Sequence, residues 1–353
     1  MLRSEFAFRL LRPSRARRSR TGASLSFALV VLMLGSVIGV GCASVTSKTA
    51  DPLRDQSRPG KLNAANTTLD ESGSASPSDK KDMPDNNERE NIAPSPFYAA
   101  LELALKRRKL KLADVCDVSD PVSRRVLEDY GAMFLTDAVV LPPPVCMFAN
   151  EEAVDTFQAE AQFTPASIGG ARIELQPAAM RALLAAREEA VKAGLNITPR
   201  GGSEAARRSY EDTSRLWNTR FFPALAHWNS LGRLSKEEVA RLRSLPQSDQ
   251  VREVLELEKK GIFFSKDFSK SILYSIAAPG TSQHIAMLAL DVDQFGDARV
   301  RRILARHGWF QTVKSDLPHF TFLGLEEKDL PARGLRSVVV GNQVFWIPNV
   351  GVE

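Results

Sequence analysis

The chain of 353 residues is long enough for two domains, but its first quarter is not composed to pack into either. Its formal charge of +5 misleads about partners, because seven arginines against one glutamate give residues 1–20 a net +6 and residues 21–41 carry no charge, leaving −1 on the rest. A nucleic-acid partner, which needs a basic face on a folded domain, is therefore not expected.

Arg3, Arg9, Arg12, Arg15, Arg17, Arg18 and Arg20 precede an apolar run from Leu25 to Val40, broken only by Ser26, Gly35, Ser36 and Gly39. A basic stretch followed by a short apolar one reads as a secretory signal. Its 16 residues fall short of the roughly 20 that a transmembrane helix needs. The run closes on Ile38-Gly39-Val40-Gly41-Cys42-Ala43-Ser44, which resembles a bacterial lipobox, with Gly39 departing from the usual leucine-like residue. Residues 1–42 are accordingly expected to be a signal and lipoprotein leader. The protein would be exported and membrane-anchored in the cell envelope, outside the cytoplasm, through lipid on Cys42 or through an uncleaved anchor. Residues 44–95 hold no aromatic residue and are rich in Ser, Asp, Asn, Pro and Lys. Such a composition buries too little apolar area to overcome chain entropy, so residues 43–95 read as a disordered tether. In an oxidising compartment Cys116 and Cys146 are candidates for one disulfide.

Folded sequence begins near Phe97, with Ser95 and Pro96 suited to the cap and first position of a helix through Ala113. Further helices are predicted over Ser123–Leu135 and Ala153–Glu160, completing an N-terminal helical extension, residues 96–165, whose chemistry the sequence leaves unassigned. The last domain spans 166–353. Ala171–Gln176 alternates as a strand; Pro177 opens a helix to Ala193, Gly194 ends it, and Leu195–Thr198 starts a strand. Long charged helical stretches cover Ser214–Trp228 and Ser235–Lys260, either as a cap over a cleft or as an added helical layer, with Trp217 and Trp228 read as core. Strands are expected at Ser271–Ala277, Met287–Asp291, Trp309–Val313 and Phe320–Leu323, and a helix at Asp297–His307 closed by Gly308. Ser337–Val340 and Val344–Ile347 flank Gly341-Asn342-Gln343 as a terminal hairpin.

Chemistry concentrates late in the chain. His284, Asp291 and His319 supply two imidazoles and a carboxylate in a protein with only four histidines. Three nitrogen and oxygen donors with a fourth position left for water make the ligand set of a catalytic zinc site. His227 and His307 read as ordinary core or surface residues. A bare H-x6-D is weak evidence, and the surrounding residues add to it. Pro279-Gly280-Thr281-Ser282-Gln283-His284 through Asp291 resembles the Ser-x-His-x-x-Gly-x-Ala-x-Asp signature of VanY-type zinc D-alanyl-D-alanine carboxypeptidases, within the LAS metallopeptidases (peptidase family M15). Gly308-Trp309-Phe310 and Asp316-Leu317-Pro318-His319-Phe320 are similar to that family's Gly-Trp-Phe and Glu-Pro-Trp-His-Phe segments. Arg207-Arg208-Ser209-Tyr210 resembles its Tyr-Arg-Ser segment. Met287 stands where the family has glycine, which predicts a fuller pocket wall. Asp316 replaces the family's catalytic glutamate and is shorter by one methylene.

The resemblance spans roughly residues 170–325. It implies an α+β fold in which a small antiparallel sheet carries the zinc ligands and packs against helices, with an extra helical layer. It also implies a Zn2+-dependent D,D-carboxypeptidase acting on peptidoglycan stem peptides. Asp316 would be the general base, and Ser282 a group orienting His284 or the substrate. Arg208 or Arg200 would hold the substrate carboxylate, since a planar guanidinium fork matches one. Two other readings stay open: a non-catalytic wall-binding or scaffold lipoprotein that keeps the fold, and a zinc amidase or endopeptidase cutting elsewhere in the wall.

Overall fold

The computed structural model describes residues 95–137 and 139–351. The expected signal, lipobox at Cys42 and tether up to residue 94 lie outside the described residues. Among those described, no helix is long and apolar enough to cross a membrane.

The fold is α+β. Local capping chemistry starts most of the helices. In α1 (Pro96–Arg107), Ser95 accepts from the Tyr98 amide and Pro96 takes the first turn, where its missing N–H costs nothing. The helix stops at Arg107, six residues before the expected end, and Lys109 turns with φ 61°. The short α2 (Leu112–Val115) follows. Asp120 caps α3 (Pro121–Tyr130), which tightens into a 3-10 turn over Gly131–Leu135, and Asn150 caps α4 (Glu151–Ala161). Cys116 and Cys146 are joined as a disulfide.

The strands β1 (Thr164–Ile168) and β2 (Ala171–Leu175) form an antiparallel hairpin about Gly169-Gly170. Its first strand, exposed along most of its length, has too little apolar alternation to be read from sequence. After α5 (Pro177–Lys192) the chain expected to form a strand at 195–198 runs irregular, meeting the sheet only at a Pro199–Val292 bridge. Capping boxes open α6 (Tyr210–Ser230) and α7 (Lys236–Ser244). Pro246 ends the second of these, because the residue before proline is forced out of the helical region. The stretch read as one helix from 235 to 260 is therefore two, the second being α8 (Gln247–Glu258). These three helices enclose their own apolar cluster around Trp217, Phe221, Val254 and Phe264. Trp217 and Trp228 are both core, as their sequence context suggests.

Residues 271–277 are not a strand. Ile272–Tyr274 form a 3-10 turn, with Ile272 and Leu273 buried against the helical cluster. The segment is apolar because it packs onto helices, and no sheet partner lies alongside it among the described residues. The central sheet has order β3 (Ala289–Asp291), β5 (His319–Phe322), β4 (Trp309–Phe310), all antiparallel. Between β3 and β4 lies α9 (Ala298–Arg306), capped by Asp297. A hairpin of β6 (Leu335–Val340) and β7 (Gln343–Pro348) closes the fold. The largest core joins Phe97 and Leu101 of α1, Leu183 of α5 and Phe320 of β5 in one apolar mass.

Candidate metal centre

Strand register brings the distant candidate ligands together. Asp291 closes β3 directly opposite His319, which opens β5. The pairing is held by Val292 N to Pro318 O at 2.8 Å, and Asp291 O accepts from Arg200 N at 2.8 Å. Twenty-eight residues of sequence separation thus become one rung of a sheet.

His284 comes from the loop 280–287, a run of tight turns in which Ile285, Ala286 and Met287 each donate to the carbonyl three residues back. The loop's own carbonyls face inward and every one from 284 to 287 finds a donor: Arg208 N for His284 O, Gln158 Nε2 for Ile285 O, Gln176 Nε2 for Ala286 O and Gln176 N for Met287 O. Unpaired buried carbonyls would be costly; two buried glutamines from α4 and the head of α5 prevent that. A Cβ on Gly280 would collide with the Phe148 carbonyl, and its φ of 77° suits only glycine at low cost. Met287 also has a positive φ, 54°. This backbone conformation favours glycine, and Met287 tolerates it while burying its side chain in the main core. It is not among the residues lining the cleft, so the fuller wall expected there is absent.

Three donor atoms converge: His284 Nε2 to His319 Nδ1 at 3.1 Å, His319 Nδ1 to Asp291 Oδ1 at 3.2 Å, and His284 Nε2 to Asp291 Oδ1 at 3.3 Å. A tetrahedral ion bound at about 2.0–2.1 Å needs donors about 3.3–3.4 Å apart, so the triangle fits a small divalent cation with little adjustment. This His/Asp/His cluster can hold a metal ion. Burial, then the Arg208 charge, push the His284 imidazole down to about 4, leaving it neutral with a lone pair to offer at pH 7. Burial alone would raise Asp291, but the two imidazoles outweigh it and hold the carboxyl below the usual range. Arg208 Nη2 takes the other oxygen, Oδ2, at 2.9 Å, which points Oδ1 at the histidines.

A cleft of about 140 Å³ opens over this triangle, lined among others by Tyr130, Tyr274, Ser282, Gln283, Arg208 and Asp316. Asp316 lies in the β4–β5 connection, three residues before His319, whose amide donates to its carbonyl. Its side chain reaches water at the cleft mouth, yet protein surrounds it on most sides. That desolvation, with the Asp291 charge, raises its carboxyl above the ordinary aspartate range against the pull of His319, Arg208 and Arg200. Ser282 Oγ is 3.4 Å from the His284 amide. Arg200 is exposed, stacked on Phe295 at 5.4 Å, and makes no side-chain hydrogen bond to another described residue. Arg208, in contrast, is engaged with Asp291 and the Glu204 carbonyl. His227 stacks on Phe268 and His307 faces Glu189, both away from the cluster. The sequence reading missed Gln158, Gln176 and Gln283, since a glutamine bonding a distant carbonyl leaves no local pattern.

No protein-family profile matches the chain, and no curated protein does. Among solved structures it is similar to a mutant of the vancomycin resistance D,D-pentapeptidase VanY from a VanB-type resistance cassette, crystallised in complex with Zn(II). That alignment covers 47% of this chain and 82% of that one, at 16% identity and a TM-score of 0.26.

Proposed function

We propose that this protein is a zinc-dependent D,D-carboxypeptidase acting on peptidoglycan stem peptides outside the cytoplasm. The carrying observation is the convergence of His284 Nε2, His319 Nδ1 and Asp291 Oδ1 within 3.3 Å of one another at the floor of a cleft that also holds Asp316. Bound there, zinc would supply Lewis acidity toward the scissile carbonyl and a nearby water. Asp316 takes the proton from the attacking water as the new C–O bond forms, then hands it to the amine nitrogen as the C–N bond breaks. A raised carboxyl suits both halves of that task, accepting a proton and then releasing it. Arg200, whose guanidinium makes no hydrogen bond among the described residues and lies close enough for its charge to act on Asp316, is the better candidate for the substrate's terminal carboxylate. Arg208 braces Asp291, and Ser282 steadies the His284 loop. A second pocket that includes Lys314 and Arg336 shares Tyr130, Tyr274 and Ser315 with the cleft, which suits a chain-like substrate over a free dipeptide.

Export is supported by the Cys116–Cys146 disulfide, which belongs to an oxidising compartment, and by the arginine-rich, then apolar start of the chain. Lipid on Cys42 or an uncleaved segment would hold it at the membrane. The non-catalytic scaffold reading draws on the shorter Asp316. Zinc content and D-alanine release from a pentapeptide muropeptide decide between the two, with Asp316→Ala in parallel. Stoichiometric zinc with release abolished in the variant supports the peptidase; zinc without cleavage of any muropeptide supports the scaffold.

A further inference from the structure

The search for a role for the N-terminal helical segment leads to one buried side chain, Gln283. Its amide nitrogen donates to the Tyr130 carbonyl at 2.8 Å. That carbonyl lies at the junction of α3 and the 3-10 turn that follows it. A carbonyl only accepts, so the NH2 of Gln283 must face it, and the amide oxygen is turned toward β5. There Oε1 lies 2.8 Å from His319 Nε2 and takes the Thr321 hydroxyl at 2.5 Å. Thr321 Oγ1 is in turn 2.7 Å from the Thr312 hydroxyl. Gln283, Thr312, His319 and Thr321 are all buried, so water does not compete for these bonds.

An amide oxygen accepts and cannot donate, so Nε2 of His319 carries the hydrogen. In a neutral imidazole the other nitrogen then holds the lone pair, and Nδ1 is the atom 3.2 Å from Asp291 Oδ1. We infer that Gln283 is a positioning residue that locks His319 in its Nε2–H tautomer and ring orientation, presenting Nδ1 as a metal donor, and that Tyr130 of α3 anchors it through its carbonyl. The N-terminal segment thereby becomes part of the metal centre, although it contributes no ligand. His284 has no equivalent support, since its Nδ1 is buried without a partner among the described residues. The two histidines are therefore not equally pre-organised.

The inference rests on the metal-centre reading, and the test separates the two. With only four histidines in the chain, the 15N-histidine-labelled, metal-free full-length protein gives a resolvable set of long-range 1H–15N correlations, with His319 assigned by its loss in His319→Asn. The expected pattern is Nε2–H for His319 in the wild type and loss of that single tautomer in Gln283→Leu. Zinc affinity, by chelator competition, should fall about 10–100-fold in Gln283→Leu. It should stay within a few-fold of wild type in Gln283→Glu, which keeps the acceptor toward His319 while losing the donor toward Tyr130. An Nδ1–H tautomer in the wild type overturns the inference, as does an equal loss of zinc affinity in the Glu and Leu variants, which would mark a merely structural residue. A wild-type chain that binds no zinc but shows Nε2–H overturns the metal reading and leaves the tautomer lock standing. If Gln283→Leu does not fold, the wild-type tautomer and the Glu variant still decide.

Discussion

Met287 concentrates a conflict between local and tertiary energetics in one residue. Its backbone sits in the left-handed region, which costs a residue with a β-carbon about 1–2 kcal/mol, while its side chain is fully buried in the main core. Removing that side chain costs about 2–5 kcal/mol, so core packing wins and methionine is retained where a turn would prefer glycine. Met287→Gly should be less stable than wild type, but Met287→Ala should be less stable still, by up to about 1 kcal/mol, because alanine loses the packing and keeps the strain. Urea unfolding of the three proteins checks the order; Ala above Gly would refute the account. At the metal centre, His284→Ala and His319→Ala should each abolish both zinc binding and hydrolysis, read by metal content and product release. Asp316→Ala should retain the metal and lose turnover.

At the level of elements, α8 supports one wall of the cleft, residues 273–277, through a buried carboxylate. Glu258, near the end of α8, accepts from the Ile272 amide at 2.6 Å. It thereby holds the turn that leads into the cleft-lining residues Leu273 to Ala277. Burial raises its carboxyl above the ordinary glutamate value, with the bonds from Ser271 and the Ile272 and Phe264 amides pulling the other way. The folded state then keeps this proton to higher pH than the unfolded state does. The folded form binds more protons upward from about pH 4.3, and stability falls as pH rises through that window. Glu258→Gln keeps an acceptor for the Ile272 amide and removes the titration. Its denaturation midpoint should therefore vary less with pH above about 4.3 than the wild type's. An unchanged slope would show that Glu258 is not the group responsible.

The whole molecule depends on its N-terminal segment. Phe97, Leu101, Phe134 and Phe157 share one core with the sheet that carries Asp291 and His319. The disulfide ties residues 30 apart within that segment, and two positions beyond Cys146 the Phe148 amide donates to the Gly280 carbonyl in the His284 loop. By the chain-entropy account, closing a loop of that length stabilises the fold by about 3–4 kcal/mol. Reduction should lower the thermal midpoint and weaken zinc binding together, since the loop loses its anchor; a lower midpoint with unchanged zinc affinity would separate the disulfide from the site. A fragment starting at residue 166 should fail to fold, because it exposes the core face that α1, α3 and α4 cover.

From sequence alone the His284, Asp291 and His319 cluster was legible, because short motif segments around each residue resemble those of a known family; their spacing alone is weak evidence. Capped helix starts such as Ser95-Pro96, and the terminal hairpin, were legible because caps and turns are decided by neighbours within a few residues. Tertiary structure decided what depends on partners far along the chain. The apolar residues at 271–277 carry no mark saying that they pack on helices, and the stretch at 195–198 meets the sheet by only one bridge. Nor does any spacing reveal that Gln158, Gln176 and Gln283 brace the His284 loop and His319. A glutamine's two hydrogen-bonding ends are the same in every context, and only the fold supplies the carbonyl on one side and the imidazole on the other.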